Sequence, residues 1–183
     1  GLLFKKDGKR IWIEHTFVCH KALKVVSRQI KFPIQEAVDK GLITIVYEET
    51  IKPEYLATWF VEKSKEYQIM KIVADSYRFA YVEAKFKEFG LPLESVRSGP
   101  ITHSKVAPII QSLLYEENLI CGDNMTMRWY INNTCTKTDG KGNITFEKIE
   151  PKLRKTDGFF AFIHAMSQDS VLVETQQDIM EFD

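Results

Sequence analysis

Lys71-Ile72-Val73-Ala74-Asp75-Ser76-Tyr77 opens with an apolar run too brief for a helix and ends on a carboxylate. It reads as a strand with Asp75 at its C-terminal end. A helix is expected from about Tyr77 to Phe89, stopped by Gly90, and Leu93–Val96 reads as the next strand. Strand, helix and strand in such quick succession indicate a sheet with helices packed on it.

The same alternation runs outward in both directions. Upstream, residues 2–5 and 10–18 read as two strands about Asp7-Gly8, a pair that supplies the positive φ angles of a type I′ turn. In the second strand Ile11, Ile13, His15 and Phe17 alternate with Trp12, Glu14 and Thr16, the pattern of a half-buried strand. A short helix over Ile34–Asp39, a strand over Leu42–Tyr47 and a helix starting at Pro53 follow. Downstream, Val106, Ile109, Ile110, Leu113 and Leu114 form one helical stripe, and Leu119–Cys121 is a brief strand. Met125, Trp129 and Tyr130 mark another helix. A hairpin turns through Asp139-Gly140-Lys141-Gly142-Asn143, and Gly158–Met166 is a helix apolar almost all round, hence buried. The fold expected is a single α/β domain, a mixed sheet flanked by helices.

Composition agrees. The 183 residues are 44% apolar, 12% aromatic and 27% charged, enough for one sizeable core and unlike collagen, disordered chains or disulfide scaffolds. No apolar run approaches the ~18–20 residues of a membrane-spanning helix. Cys19, Cys121 and Cys135 are odd in number and lack CxxC spacing, as expected of buried thiols in a reducing compartment. The start, Gly1-Leu2-Leu3-Phe4, has neither methionine nor a signal-peptide pattern, and reads as a cut inside or just before a strand of a longer protein. Lys and Arg total 25, as do Asp and Glu, so net charge makes no case for a nucleic-acid partner. Residues 168–183 hold five of the acids and no base, which reads as a solvated acidic tail after residues 1–167.

Several chemistries are excluded by motif. The chain has no Walker A loop, no GxGxxG, no GxSxG elbow and no HExxH pair, and its four histidines lack metal-ligand spacing. Two aspartates remain. Asp75 ends a strand, where open α/β sheets place ligands, and Asp157 opens a buried helix. Each also has an ordinary explanation as a turn or cap residue. Together they offer hard oxygen donors suited to Mg²⁺ or Mn²⁺. Near Asp157 lie Lys137, Lys141, Lys148, Lys152, Arg154 and Lys155 against Asp139, Glu147 and Glu150, and Arg78 follows Asp75. These bases are candidates for phosphate contacts and equally describe a solvated hairpin face.

From about Ile72 to Met166 the residues resemble the C-terminal nuclease domain of the large terminase subunit of tailed bacteriophages. The likeness rests on Val73-Ala74-Asp75-Ser76, the helix around Ile109–Glu117 before Asn118-Leu119-Ile120, and Asp123-Asn124-Met125-Thr126-Met127-Arg128-Trp129 with Asn132 and Asn133 after it. The glycine-rich hairpin and Lys155-Thr156-Asp157-Gly158 complete it. Met125 stands where the family pattern often has proline. The resemblance implies a ribonuclease H-like fold and metal-dependent cutting of double-stranded DNA during genome packaging in the bacterial host cytoplasm. It implies that Asp75 and Asp157 are catalytic metal ligands for two Mg²⁺ or Mn²⁺ ions. Arg78, Lys137, Lys141, Lys148, Lys152, Arg154 and Lys155 would face DNA. The partners implied are the ATPase domain of the same polypeptide, the small terminase subunit and the portal. The family's first catalytic aspartate has no match here; it is expected upstream of Gly1, so that this fragment cuts weakly or not at all.

Two alternatives stay open at this level. One is another ribonuclease H-like nuclease of integrase or resolvase type, though Asp157 precedes the last helix instead of lying on it. The other is a non-catalytic docking and DNA-binding module of the packaging motor.

Overall fold

The computed structural model describes residues 1–25, 30–77, 79–150 and 154–176. β1 (Leu2–Lys6) and β2 (Lys9–Ile13) form an antiparallel hairpin with Leu2 opposite Ile13. Asp7 at φ 50° and Gly8 at φ 77° make the expected turn. The strand expected over 10–18 is broken. At Glu14-His15 the chain leaves this ladder, and β3 (Thr16–Cys19) pairs in parallel with β4 (Ile43–Val46). β2 takes β7 (Leu119–Ile120) as a parallel second neighbour. β5 (Ile72–Asp75) and β6 (Leu93–Val96) are parallel, and β8 (Thr134–Thr138) and β9 (Ile144–Lys148) form an antiparallel hairpin. The helices are α1 (His20–Leu23), α2 (Ile34–Asp39), α3 (Pro53–Ser64), α4 (Phe79–Glu88), α5 (Pro100–Tyr115), α6 (Met125–Asn132) and α7 (Asp157–Met166). This is the mixed α/β architecture read from the sequence.

β2 is not half-buried as its alternation suggested. Arg10 through Glu14 are all buried, because helices cover both faces of the strand. Ile11 and Ile13, with Leu2 and Phe4 of β1, pack on Trp59 and Phe60 of α3. Trp12, with Leu3, points the other way into the largest core, among Val106, Ile110, Met127, Phe159, Phe162 and Ile163. Trp12 meets Phe162 edge-on, ring centroids 5.4 Å apart, a geometry worth roughly 0.5–1.5 kcal/mol beyond the area buried. α7 is thereby pinned to the middle of the sheet.

Three expectations are corrected. On α5 only Val106, Ile110 and Leu113 of the apolar stripe are buried; Ile109 and Leu114 lie on the solvent side. The five-residue stripe is too wide, since a helix packed on one side needs fewer apolar positions. The cysteines are not buried thiols: Cys19 and Cys121 are half-buried and Cys135 is exposed on the β8–β9 hairpin.

The acidic end is docked as far as Thr175, not solvated. A 3₁₀ turn at Asp169–Val171 presents Asp169 to Arg10, Nε and Nη2 donating to its two oxygens at 2.5 and 2.8 Å. Glu174 accepts from the Asp7 N–H at 3.0 Å and pairs with Lys5, while the Thr175 N–H donates to the Lys5 carbonyl at 2.9 Å. Asp178, Glu181 and Asp183 lie outside the described residues. Opposite charge on β1 and β2 is the physical reason: two acids find bases that the hairpin had already fixed in place.

Asp169→Ala is expected to destabilise the fold by roughly 2–4 kcal/mol, since it strands a largely buried Arg10 guanidinium, with the exposed rim of the pair lowering the cost. Urea unfolding with and without the substitution measures it, and a change below about 0.5 kcal/mol would show the tether to be idle.

Candidate functional site

Asp75 is the last residue of β5, half-buried. Its Oδ1 accepts the Tyr77 N–H at 3.1 Å and the Ser76 hydroxyl at 3.5 Å, so the carboxylate is held by the turn that leads to α4. The Ser76 N–H donates to the Val96 carbonyl at 2.9 Å, which carries the β5–β6 ladder one residue further and fixes the strand end. Among the described residues Oδ2 of Asp75 has no hydrogen-bond donor.

Asp157 is the first residue of α7, one position later than a cap. Thr156, 1% exposed, is the N-cap, and its carbonyl accepts the Phe160 N–H at 2.9 Å. The Asp157 carboxylate is exposed and sits where the helix dipole favours negative charge. Asn133, 2% exposed, fixes the approach: its Nδ2 donates to the Lys155 carbonyl at 2.8 Å and its Oδ1 accepts from Arg154 at 3.4 Å.

α7 packs across β5 and β1, and this brings the two aspartates to one space. Asp75 and Asp157 both line a cavity of 690 Å³ between β1, β5 and α7. His164 lines it too, two turns beyond Asp157 on the same helix face. Burial holds the His164 imidazole below its ordinary value, and the nearby Asp75 charge opposes that. His164 Nε2 has no hydrogen-bond partner among the described residues. No group of three His, Cys, Asp or Glu placed to hold a metal ion occurs among the described residues.

Beyond Asp157 lies a second cavity of 440 Å³, lined among others by Glu14, Tyr130, Lys155, Asp157 and Gly158. Gly158 is there because nothing larger fits. A Cβ at this position would fall 2.3 Å from Glu14 Oε2 and 2.4 Å from the Tyr130 ring. Glu14 carries no signal in the sequence, since a carboxylate after an apolar strand is an ordinary feature, and Gly158 was visible only within the Lys155-Thr156-Asp157-Gly158 motif of the family resemblance. Asn133 was visible only as part of a family pattern.

The basic candidates divide. Arg154 and Lys155 stand three and two residues before Asp157, and Lys155 lines the second cavity with it. Lys137, Lys141 and Lys148 are exposed on the β8–β9 hairpin, with Lys137 3.7 Å from Glu147, and none of the three lines either cavity. Arg78 and Lys152 lie outside the described residues. Two lysines not singled out from the sequence, Lys5 and Lys71, line the larger cavity, each paired with a glutamate.

Gly158→Ala is expected to cost roughly 1–3 kcal/mol through overpacking, whereas Gly140→Ala, where a Cβ meets nothing, should stay within about 0.5 kcal/mol. Thermal denaturation of the two variants separates these outcomes; equal effects would mean that the turn before α7 yields freely.

The profile of the family described as terminase large subunit, endonuclease domain, matches residues 1–171. The large terminase of bacteriophage HK97 superposes with a TM-score of 0.76 at 16% identity, over 89% of this chain and 34% of that one. The large terminase nuclease of the thermophilic phage G20c superposes with a TM-score of 0.52 at 12% identity, over 66% of this chain and 64% of that one. This chain therefore spans about a third of the HK97 protein and under two thirds of the G20c nuclease. No curated protein sequence matches it. At these identities the structural likeness speaks for the ribonuclease H-like fold.

Proposed function

Because the chain belongs to the terminase large subunit endonuclease domain family, we propose that it is the metal-dependent nuclease part of a phage DNA-packaging motor, cutting double-stranded DNA with Asp75 and Asp157 at its centre. The observation that carries this reading is their convergence: a parallel-strand end and a helix start, far apart in sequence, line one cavity. No helix among the described residues is long and apolar enough to cross a membrane. By the same reading the work is done in the host cytoplasm, and the partners are DNA, the ATPase domain of the polypeptide, the small subunit and the portal.

The donor chemistry suits a hard divalent cation. Among the described residues, Asp75 offers an oxygen without a protein donor, Asp157 is exposed, and no cysteine lines the cavity. Mg²⁺ or Mn²⁺ held by these carboxylates would supply an activated water and stabilise the leaving oxygen of a phosphodiester. The protein's own part is to place both carboxylates: Tyr77 and Ser76 donate to that of Asp75, and Asn133 and Thr156 fix the backbone from which Asp157 projects. Arg154 and Lys155 would receive phosphates beside Asp157.

Two carboxylates leave room for another donor. All of Gly1–Lys5 and all of Lys71–Asp75 line the larger cavity. Successive strand residues alternate faces, so an unbroken run borders a space only along the strand's edge. These are the edges turned away from β2 and from β6. A strand added between them is where the family's first aspartate would enter.

The test is relaxation and linearisation of a supercoiled plasmid in Mg²⁺ or Mn²⁺, by this chain and by one extended upstream. The short chain should cut feebly, the longer one well, and Asp75→Ala or Asp157→Ala in the longer one should abolish cutting. Undiminished cutting by both alanine variants would remove the site. Duplex DNA should bind weakly and without sequence preference, with log K falling by ~0.9 per phosphate contact for each unit of log salt. Charge reversal at Lys152, Arg154 and Lys155 should flatten that slope; an unchanged slope assigns the contacts elsewhere.

A further inference from the structure

We infer that Glu14, held as the neutral acid, is the positioning residue that seats the first turn of α7 and with it Asp157. The inference deepens the nuclease reading and rests on it for its functional meaning. Glu14 follows β2 and is 6% exposed. Its Oε2 accepts the Trp12 indole N–H at 3.1 Å and occupies the space that Gly158 leaves free beside Asp157. Its Oε1 lies 2.9 Å from the Thr126 hydroxyl. One carboxyl thus joins the end of β2, the start of α6 and the start of α7.

Counting protons decides its state. Asn124 caps α6, its Oδ1 accepting the Met127 N–H at 2.9 Å, so that atom is an acceptor. Thr126 Oγ1 is 2.5 Å from the same Oδ1. A hydroxyl has one hydrogen, and the shorter contact takes it. The remaining contact, between Thr126 Oγ1 and Glu14 Oε1, then needs a proton on Glu14.

The surroundings agree. Burial pushes the Glu14 carboxyl up, outweighing the pull of the groups that donate to it, the Trp12 indole first among them. Cys121 and Tyr130 beside it are both pushed up by burial, Cys121 to about 12. His15, Asp157 and Lys155 share its cavity.

Glu14→Gln and Glu14→Leu make the test. A glutamine can donate to Thr126 and accept from Trp12, reproducing both bonds of a protonated glutamate, whereas leucine fills the space and makes neither. Two readouts need no metal or DNA. The first is the amide resonances of Asp157, Gly158 and Phe159 with the hydrogen exchange of Phe160, whose N–H donates to the Thr156 carbonyl. Gln should leave these in place, and Leu should shift them and speed exchange by roughly tenfold.

The second is unfolding as a function of pH. An acid whose value is raised in the folded state loses stability as pH climbs above its unfolded value. The wild-type folding constant should therefore fall relative to that of Glu14→Gln, by up to about tenfold per pH unit, starting near pH 4.5. Unmoved Asp157 and Gly158 signals in Glu14→Leu would overturn the inference. So would a Glu14→Gln protein less stable than wild type at pH 8. If Glu14→Leu does not fold, the pH comparison with Gln decides alone. Failure of the nuclease reading would show as absent DNA cutting in every form, with both readouts unaffected.

Discussion

Trp12 on Phe162 is the contact on which the rest of the molecule leans. It fixes α7 against β2, and α7 carries Asp157 at one end and His164 two turns on. Apolar burial of that kind is non-directional, so by itself it would set a distance and leave the helix free to slide. Direction comes from polar groups at the helix start. Asn133 draws in the Lys155 carbonyl, Thr156 closes the first turn, and Gly158 allows Glu14 and Tyr130 to come close. The opposing wall, β5, has its end set by one ladder bond from Ser76 to Val96. The strand end and the helix start are thus both rigid, and the Asp75 carboxylate is held by short local bonds.

Much of this was legible before any coordinates. Alternation of strands and helices, the type I′ turn at Asp7-Gly8 and the hairpin through Asp139–Asn143 follow from local rules, and the structure keeps them. The two aspartates were legible as candidates because strand ends and helix starts are where α/β folds put chemistry. What failed was long-range. Ile11, Trp12, Ile13 and Glu14 show a half-buried pattern, and only the arrival of α3 and α7 on opposite faces buries them all. The break at Glu14-His15 was invisible because both halves have strand propensity. Only the partners, β7 for one half and β4 for the other, distinguish them.

Glu14 shows the limit most sharply. Its surroundings come from three segments, β2, the residues around Thr126 and the start of α7, and no window of sequence contains them together. The basic residues illustrate the converse. Lys137, Lys141 and Lys148 were grouped with Arg154 and Lys155 by proximity in the chain, yet only Lys155 among the described members lines a cavity with Asp157. Charge clusters in sequence become charge clusters in space only when the intervening turn folds them back.

The docked acidic segment also bears on how the protein behaves in a crowd. A bare strand edge is a template on which another chain's strand can grow, and β1 has such an edge on the side away from β2. The stretch through Thr175 lies along it, bridging Lys5 with Glu174, and covers the hydrogen-bonding groups nearest the turn. The docked stretch thus closes only the turn end of that edge, and a strand entering between β1 and β5 would have Leu2–Phe4 left to pair with.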